Sequence, residues 1–191
     1  MDAGLRRAVL IVALLNLAYF GIEFAVARRI GSVSLFADSI DFLEDTSLNL
    51  LILLALGWSA RNRARVGMAL AAILLIPGLA TLWTAWAKFA QPVAPDASAL
   101  SLTGAGALAV NLACAFLLAS YRHHSGSLSK AAFLSARNDA FANLGIIGAG
   151  LLTIALHSAW PDLIVGLAIA AMNADAAREV FGAARRETAE P

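Results

Sequence analysis

The sequence predicts an all-α polytopic membrane protein, a bundle of six transmembrane helices. Hydrophobic residues make up 60% of its 191 residues and charged residues 14%, and the mean hydropathy is +0.76. A soluble domain has about 45–50% apolar and about 25% charged residues. This composition excludes an ordinary soluble enzyme and a disordered chain. The net charge of +1 also excludes nucleic acid as a partner, because it provides no basic surface.

Six apolar segments are long enough to cross a membrane, since a transmembrane helix needs about 20 apolar residues. They are predicted at 8–27, 33–57, 66–89, 97–120, 128–157 and 160–180. We therefore expect a six-helix transmembrane domain over residues 1–182, followed by a short cytoplasmic tail over 183–191. The single cysteine, Cys114, excludes an internal disulfide framework and a thiolate metal cluster.

Basic residues in the connections predict the orientation, because short cytoplasmic loops are enriched in Lys and Arg. With six alternating helices, Arg28, Arg29 and Lys88 fall on one side of the membrane. The other side carries most of the basic residues: Arg6, Arg7, Arg61, Arg63, Arg65, Arg122, Lys130, Arg178, Arg185 and Arg186. Both termini are therefore expected in the cytoplasm, and the abundance of Arg and Ala indicates a bacterial inner membrane. The tryptophans expected at the outer interface are Trp83, Trp86 and Trp160.

Several acidic residues lie within the apolar segments, where an ionisable side chain indicates function. They are Glu23, Asp38, Asp41, Glu44, Asp45 and Asp139. Placing one such group at the bilayer centre costs about 2.5–3.5 kcal/mol on insertion scales. Arg137 is the one basic residue near them in these segments. The excess of acids predicts that protons, or a cation that the chain does not encode, balance the charge.

The spacing of three of these acids places them on one face of the second helix. Asp38, Asp41 and Asp45 lie within about 60° of one another at 100° per residue, whereas Glu44 points away. Carboxylates four residues apart repel each other when both are ionised. Either a divalent cation or protons remove that repulsion, which favours exchange of a cation for protons at Asp41 and Asp45.

The fifth helix carries a complementary pair, because Asp139 and Asn143 are also four residues apart. If this face meets the second helix, four oxygen-bearing side chains surround one point. An asparagine adds a carbonyl oxygen without charge. The predicted metal ligands are Asp41, Asp45, Asp139 and Asn143. No Ser/His or Cys/His constellation indicates a catalytic residue, so we expect a non-enzymatic protein without a resident cofactor.

Three stretches resemble the cation diffusion facilitator family. Residues 31–45, G-S-V-S-L-F-A-D-S-I-D-F-L-E-D, resemble its second-helix signature, G-S-x-[AS]-L-x-A-D-[AS]-x-[HD]-x-x-x-D. Residues 136–145, A-R-N-D-A-F-A-N-L-G, resemble the fifth-helix motif, [HD]-x-x-x-D followed by small residues. Residues 160–167, W-P-D-L-I-V-G-L, resemble the start of the sixth helix.

This resemblance implies a proton-coupled exporter of divalent transition metals that works by alternating access as a homodimer. Position by position, the four predicted ligands fall on the transport site of the family. The last ligand in the family is usually an acid, and here it is Asn143. Family members usually end in a cytosolic metal-binding domain, and we expect this chain to lack one. Any dimer would then be held by transmembrane helices, and the third helix is our candidate for that interface.

The ligand set also bears on the metal. Zinc members usually have histidine in the second helix, the fifth helix or both, where this chain has Asp41 and Asp139. Imidazole ligands suit zinc, whereas carboxylate and carbonyl oxygens favour manganese or iron. Because affinity at a given site still increases from manganese to zinc, zinc and cadmium remain candidates, with zinc and manganese foremost.

Other interpretations stay open. The chain could be a non-transporting membrane scaffold or a subunit that needs a partner, or it could export another cation. Glu23 is expected to pair with Arg28 or Arg29 or to line an outer cavity, with Asn16 on the same helix face. Asp38 is expected to support the ligands or the exit path. The His123–His124 pair is expected in a solvated inner loop.

Overall fold

A computed structural model describes residues 3–54, 58, 62, 65–66, 79–119 and 127–189, with side chains over these ranges except 127–137 and 176–189. Within these residues the chain is helical and contains no strand, which confirms the predicted all-α bundle. The helices are α1 (Ala3–Ile30), α2 (Val33–Leu54), α3 (79–90), α4 (Ala97–Ala119), α5 (Ser127–Leu156) and α6 (Trp160–Ala189).

The helix boundaries follow the prediction closely, except at α6. Most of the expected third helix, residues 67–78, lies outside the described residues. Helix α6 continues to Ala189, so most of the residues expected to form the tail extend the last helix. The reason lies in the sequence of this segment, which is rich in Ala, Glu and Arg and contains no proline before Pro191.

Local signals explain where the helices begin and end. Gly31 has a φ of 65°, a conformation that glycine adopts without strain, and it ends α1. The next amide, Ser32 N–H, donates to the Ala27 carbonyl at 3.0 Å and closes the turn. Asp96 begins α4, because its carboxylate accepts the Ala99 amide at 2.8 Å. That hydrogen bond, and one from the Ser98 hydroxyl, lower the pKa of exposed Asp96 below its usual value.

Packing joins α1 to α2 and α4 to α5 as the two most extensive helix pairs, and α2 also contacts α5 and α6. The central apolar cluster lies where these helices meet. Its buried members are Ala27, Leu35, Phe36, Ala37, Ile40, Leu100, Ile146 and Ile169. This arrangement places one face of α2 against α1 and another against α5, so polar residues of α2 are enclosed by the bundle.

The distribution of polar and apolar side chains is the reverse of that in a soluble protein. Large apolar side chains on the periphery are exposed, such as Leu102 and Phe116 at 77% each. In contrast, Asn16, Glu23 and Asp38 are fully buried. Exposed apolar surface of this extent is stable in contact with lipid chains rather than water.

Three described segments combine the length and hydropathy that a membrane span requires: Ala3–Ile30, Ala97–Ala119 and Asn138–Leu156. Helix α2 has 22 residues, which is also long enough, but four acids reduce its hydropathy. The protein is therefore an integral membrane protein, with its acidic helix inside the bundle.

Aromatic residues cluster at one end of the bundle, as expected of an interfacial belt. Trp86 stacks on Phe89 with ring centroids 6.4 Å apart, and Phe89 meets Trp160 edge-on at 5.9 Å. Trp83 is also exposed. The three tryptophans predicted at the outer interface thus lie on α3 and α6 near the ends that face the α1–α2 turn.

Gly166 allows α6 to approach the beginning of α2. A Cβ atom at this position would lie 2.7 Å from the backbone of Val33 and Ser34, which cannot move without separating the helices. We expect Gly166→Ala to lower the free energy of unfolding by about 1–3 kcal/mol through overpacking. Thermal unfolding of the purified protein in detergent measures the effect.

Gly148 provides the matched control for that substitution, because a Cβ atom added there would have no neighbour within 4 Å. Gly148→Ala should be neutral or stabilise the helix by about 0.5–1 kcal/mol. Equal melting temperatures for the two variants would contradict the close α2–α6 contact.

Candidate metal-transport site

Helix α2 presents its acids as a stripe toward the interior of the bundle. Asp38 is fully buried, Asp45 is buried and Asp41 is partly buried. Hydroxyl groups beside the stripe are satisfied by the helix itself, since Ser39 donates to the Phe36 carbonyl at 2.7 Å and Thr46 to the Phe42 carbonyl at 2.7 Å. Since each hydroxyl donates its one hydrogen to the backbone, Ser39 and Thr46 donate no hydrogen bond to the carboxylates.

Helices α2 and α5 pack against each other, and acids of the two helices interact. Asp41 interacts electrostatically with Asp139 of α5, and also with Asp38, Glu44 and Asp45 of its own helix. Both Asp41 and Asp139 are partly buried. Two like charges from different helices at membrane depth repel strongly in a medium of low dielectric constant. A cation or a proton between them removes this repulsion.

Asn143 is held on both sides of its amide group. Its Nδ2 donates to Asp38 Oδ2 at 2.6 Å, and its Oδ1 accepts from Asn111 Nδ2 of α4 at 3.0 Å. All three side chains are buried. These hydrogen bonds orient the amide, and Oδ1 retains a second lone pair that could bind a cation. The sequence did not indicate Asn111, although a polar residue at the middle of an apolar helix is a signal that could have found it.

Asp45 contacts α1 through Asn16. Asn16 Nδ2 donates to Asp45 Oδ2 at 3.4 Å, which is long for a hydrogen bond, and Asn16 Oδ1 accepts from Cys114 Sγ at 3.6 Å. Asn49 Nδ2 donates to the Asp45 carbonyl at 2.7 Å. Asn16 was expected on the face of α1 that carries Glu23, and the structure adds that this residue holds Asp45.

The four predicted ligands therefore share the interior of one bundle but have different partners. Asp41 faces Asp139, Asn143 binds Asp38, and Asp45 binds Asn16. Among the described side chains, no group of three His, Cys, Asp or Glu residues lies close enough to hold a metal ion. Binding by the four predicted ligands would require the side chains to rearrange, and their assignment stays a prediction.

The prediction that Glu23 pairs with Arg28 or Arg29 is wrong. Glu23 is fully buried and interacts with Asp38 of α2, whereas both arginines are exposed. Helix geometry explains the difference. Arg28 and Arg29 follow Glu23 by five and six residues, which places them about 140° and about 120° away from it around α1. Asp38 accepts a hydrogen bond from Asn143, one of the four predicted ligands, and its expected supporting role stays a prediction.

The beginnings of α2 and α6 and the end of α3 meet at another buried carboxylate, Asp162. Its carboxylate accepts hydrogen bonds from Ser32 Oγ at 2.6 Å and from Ser34 Oγ at 2.7 Å. It also accepts the Val33 and Ser34 backbone amides at 2.9 and 3.1 Å. Lys88 Nζ lies 3.6 Å from Asp162 Oδ2 and donates to the Gly31 carbonyl. The family-like sixth-helix motif contains Asp162, but its partners could not be inferred from spacing.

This cluster closes the bundle at the end that carries the α1–α2 turn. A carboxylate at the beginning of a helix satisfies free amides and interacts favourably with the helix dipole. Here the Asp162 carboxylate of α6 accepts free amides at the beginning of α2, and it also neutralises Lys88 of α3. The loop expected at His123–His124 lies outside the described residues, and so does the side chain of Arg137.

A comparison with known protein families agrees with the geometry. A family described as the cation efflux transmembrane domain matches residues 9–187, which span all the helices described above. A search of curated proteins found no match to this chain.

Proposed function

The chain belongs to the cation efflux family, whose members are membrane transporters, and from this premise we propose that it exports a divalent transition-metal cation in exchange for protons. The observation that carries the proposal is the approach of Asp41 on α2 to Asp139 on α5 inside a membrane-spanning bundle. Two facing acids need a cation or a proton between them, and a transporter that exchanges the two would alternate between these states.

We propose Asp41, Asp45, Asp139 and Asn143 as the ligands of the transported ion. Three carboxylates and one amide oxygen leave a net charge of about −1 around a divalent ion, so a proton can join or leave easily. The all-oxygen set suits manganese, while the general affinity order keeps zinc a candidate. The Asn16–Asp45 contact is long at 3.4 Å, so this hydrogen bond holds the Asp45 carboxylate only weakly.

We also propose that the protein works by alternating access. The Asp162 cluster holds α2, α3 and α6 together at one end, which we assign to the outer face of a bacterial inner membrane with both termini in the cytoplasm. Metal would then enter from the cytoplasm. Protons entering from outside would weaken its binding and release it outward. We further propose that the protein works as a homodimer.

Reconstitution into lipid vesicles tests this proposal. Uptake of manganese, zinc, cadmium, iron(II) and magnesium would be compared under an imposed pH gradient, with inserted and folded protein verified in each preparation. We expect uptake of at least one transition metal that depends on the gradient. If folded protein transported none of these ions, a scaffold, an obligate partner subunit or a different cation would be the better interpretation.

Substitution of Asn143 by aspartate tests proton competition at the site. The change adds a carboxylate next to Asp38, where the amide now donates at 2.6 Å. We expect metal affinity to increase by about tenfold or more, because one added charge acts on a divalent ion in a low dielectric. Release should become slower and should need a lower pH on the proton side. Uptake rates measured against pH check this, and an unchanged profile would contradict proton competition at the proposed site.

A further inference from the structure

A second pair of carboxyl groups lies between α1 and α2, and the ligand set proposed above does not include it. Glu23 and Asp38 are both fully buried, and their side chains lie against each other. Asp38 is one helical turn from Asp41, on the side of the α1–α2 turn. Glu23 also interacts electrostatically with Asp41. This pair therefore lies beside the proposed transport site, displaced along α2.

The oxygen atoms of this pair are poorly satisfied. Among the described residues, no other side chain or backbone group donates a hydrogen bond to Glu23 Oε1, Glu23 Oε2 or Asp38 Oδ1, and the two carboxyl groups contact each other. The fourth oxygen, Asp38 Oδ2, accepts from Asn143. A buried polar atom without a partner destabilises the protein, and more so when it is charged. Three such atoms in two adjacent side chains indicate a ligand that accepts electron pairs from oxygen.

We propose that Glu23 and Asp38 form a second binding site for the transported divalent cation, an inference that rests on the proposed transport function. Two ionised carboxylates neutralise a divalent ion completely, which low-dielectric surroundings favour. A single shared proton would link one oxygen of each residue and leave Glu23 with a second unpartnered oxygen. A divalent ion can contact both oxygens of Glu23 and Oδ1 of Asp38 together.

The position of this site gives it a role in transport. The Asp38–Asn143 hydrogen bond connects it to the proposed ligand set, and it lies toward the end of the bundle that we assign to the outer face. An ion that protons displace from Asp41 and Asp139 would meet Glu23 and Asp38 before it reaches the exterior. The second site would therefore receive the ion on its way out.

Metal-binding stoichiometry tests the inference with the full chain in lipid nanodiscs and Mn²⁺ as the probe. We expect two ions per chain for the unmodified protein, and one for Asp41→Asn/Asp45→Asn. Adding Glu23→Gln to that double variant should remove the remaining ion. Glu23→Asp in the same double variant keeps the charge and should retain the remaining ion. If it does, the loss of that ion in the Glu23→Gln variant does not result from a failure to fold. Asp96→Asn is the matched control, because it makes the same acid-to-amide change in the exposed outer connection.

The outcomes separate this inference from the function on which it rests. One ion per chain in the unmodified protein, with no change in Glu23→Gln, would overturn the second site and leave the pair as carboxyl groups that share a proton. A double variant that binds no Mn²⁺ would overturn it too. Loss of all binding and of gradient-dependent uptake in the folded, unmodified protein would instead contradict the proposed transport function itself.

Discussion

The Asp139→Ala variant is expected to lose metal uptake while it still folds and inserts. Asp139 faces Asp41 across the α2–α5 contact, and its removal takes one carboxylate from the proposed ligand set. We expect transport to fall by more than about 100-fold, since even residues that only support metal ligands cost about 10–100-fold when replaced. Folding should survive, because removing one of several mutually repelling acids relieves the repulsion.

Asp45→Ala provides an independent test from α2, and we expect the same loss of uptake. The control is Asp96→Asn, which changes an exposed acid in the connection between α3 and α4 and should transport at the normal rate. Initial rates of uptake into vesicles, normalised to inserted protein, measure all three variants. A normal rate in Asp139→Ala or Asp45→Ala would show that the ligand assignment is wrong.

The largest effect on stability is expected for Asp162→Ala. The carboxylate of Asp162 accepts four hydrogen bonds from Ser32, Val33 and Ser34 and lies 3.6 Å from Lys88 Nζ. Lys88 is 8% exposed and Asp162 is fully buried, so the variant would leave a buried charge without its partner. Removing one partner of a buried ion pair lowers the free energy of unfolding by about 3–5 kcal/mol.

Unfolding of the purified protein, followed by intrinsic fluorescence in detergent, measures this loss. Asp96→Ala is the matched control, since Asp96 also begins a helix but is exposed, and the loss of such a cap costs about 1 kcal/mol. Combining Asp162→Ala with Lys88→Met removes both charges and should recover part of the loss. A smaller effect for Asp162→Ala than for Asp96→Ala would contradict the role assigned to this cluster.

Much of the candidate site could be predicted from helix periodicity. The 100° turn per residue aligned Asp38, Asp41 and Asp45 on one face of α2, and the structure places that face inside the bundle. The same rule aligned Asn16 with Glu23 on α1. Periodicity failed for the partner of Glu23, because the nearest basic residues in sequence, Arg28 and Arg29, lie on other faces of the same helix.

The sequence by itself determined that this chain is an all-α membrane protein of the cation efflux family and that acids lie at membrane depth on α2 and α5. Composition and helical period are local properties, so they can be read without knowing which helices are neighbours. Only the tertiary structure decided that Glu23 meets Asp38, that Asn111 holds Asn143, and that Asp162 joins α2 to α3 and α6. These contacts depend on which helix faces which, and apolar packing between helices sets that arrangement without a signal in the spacing of any single segment.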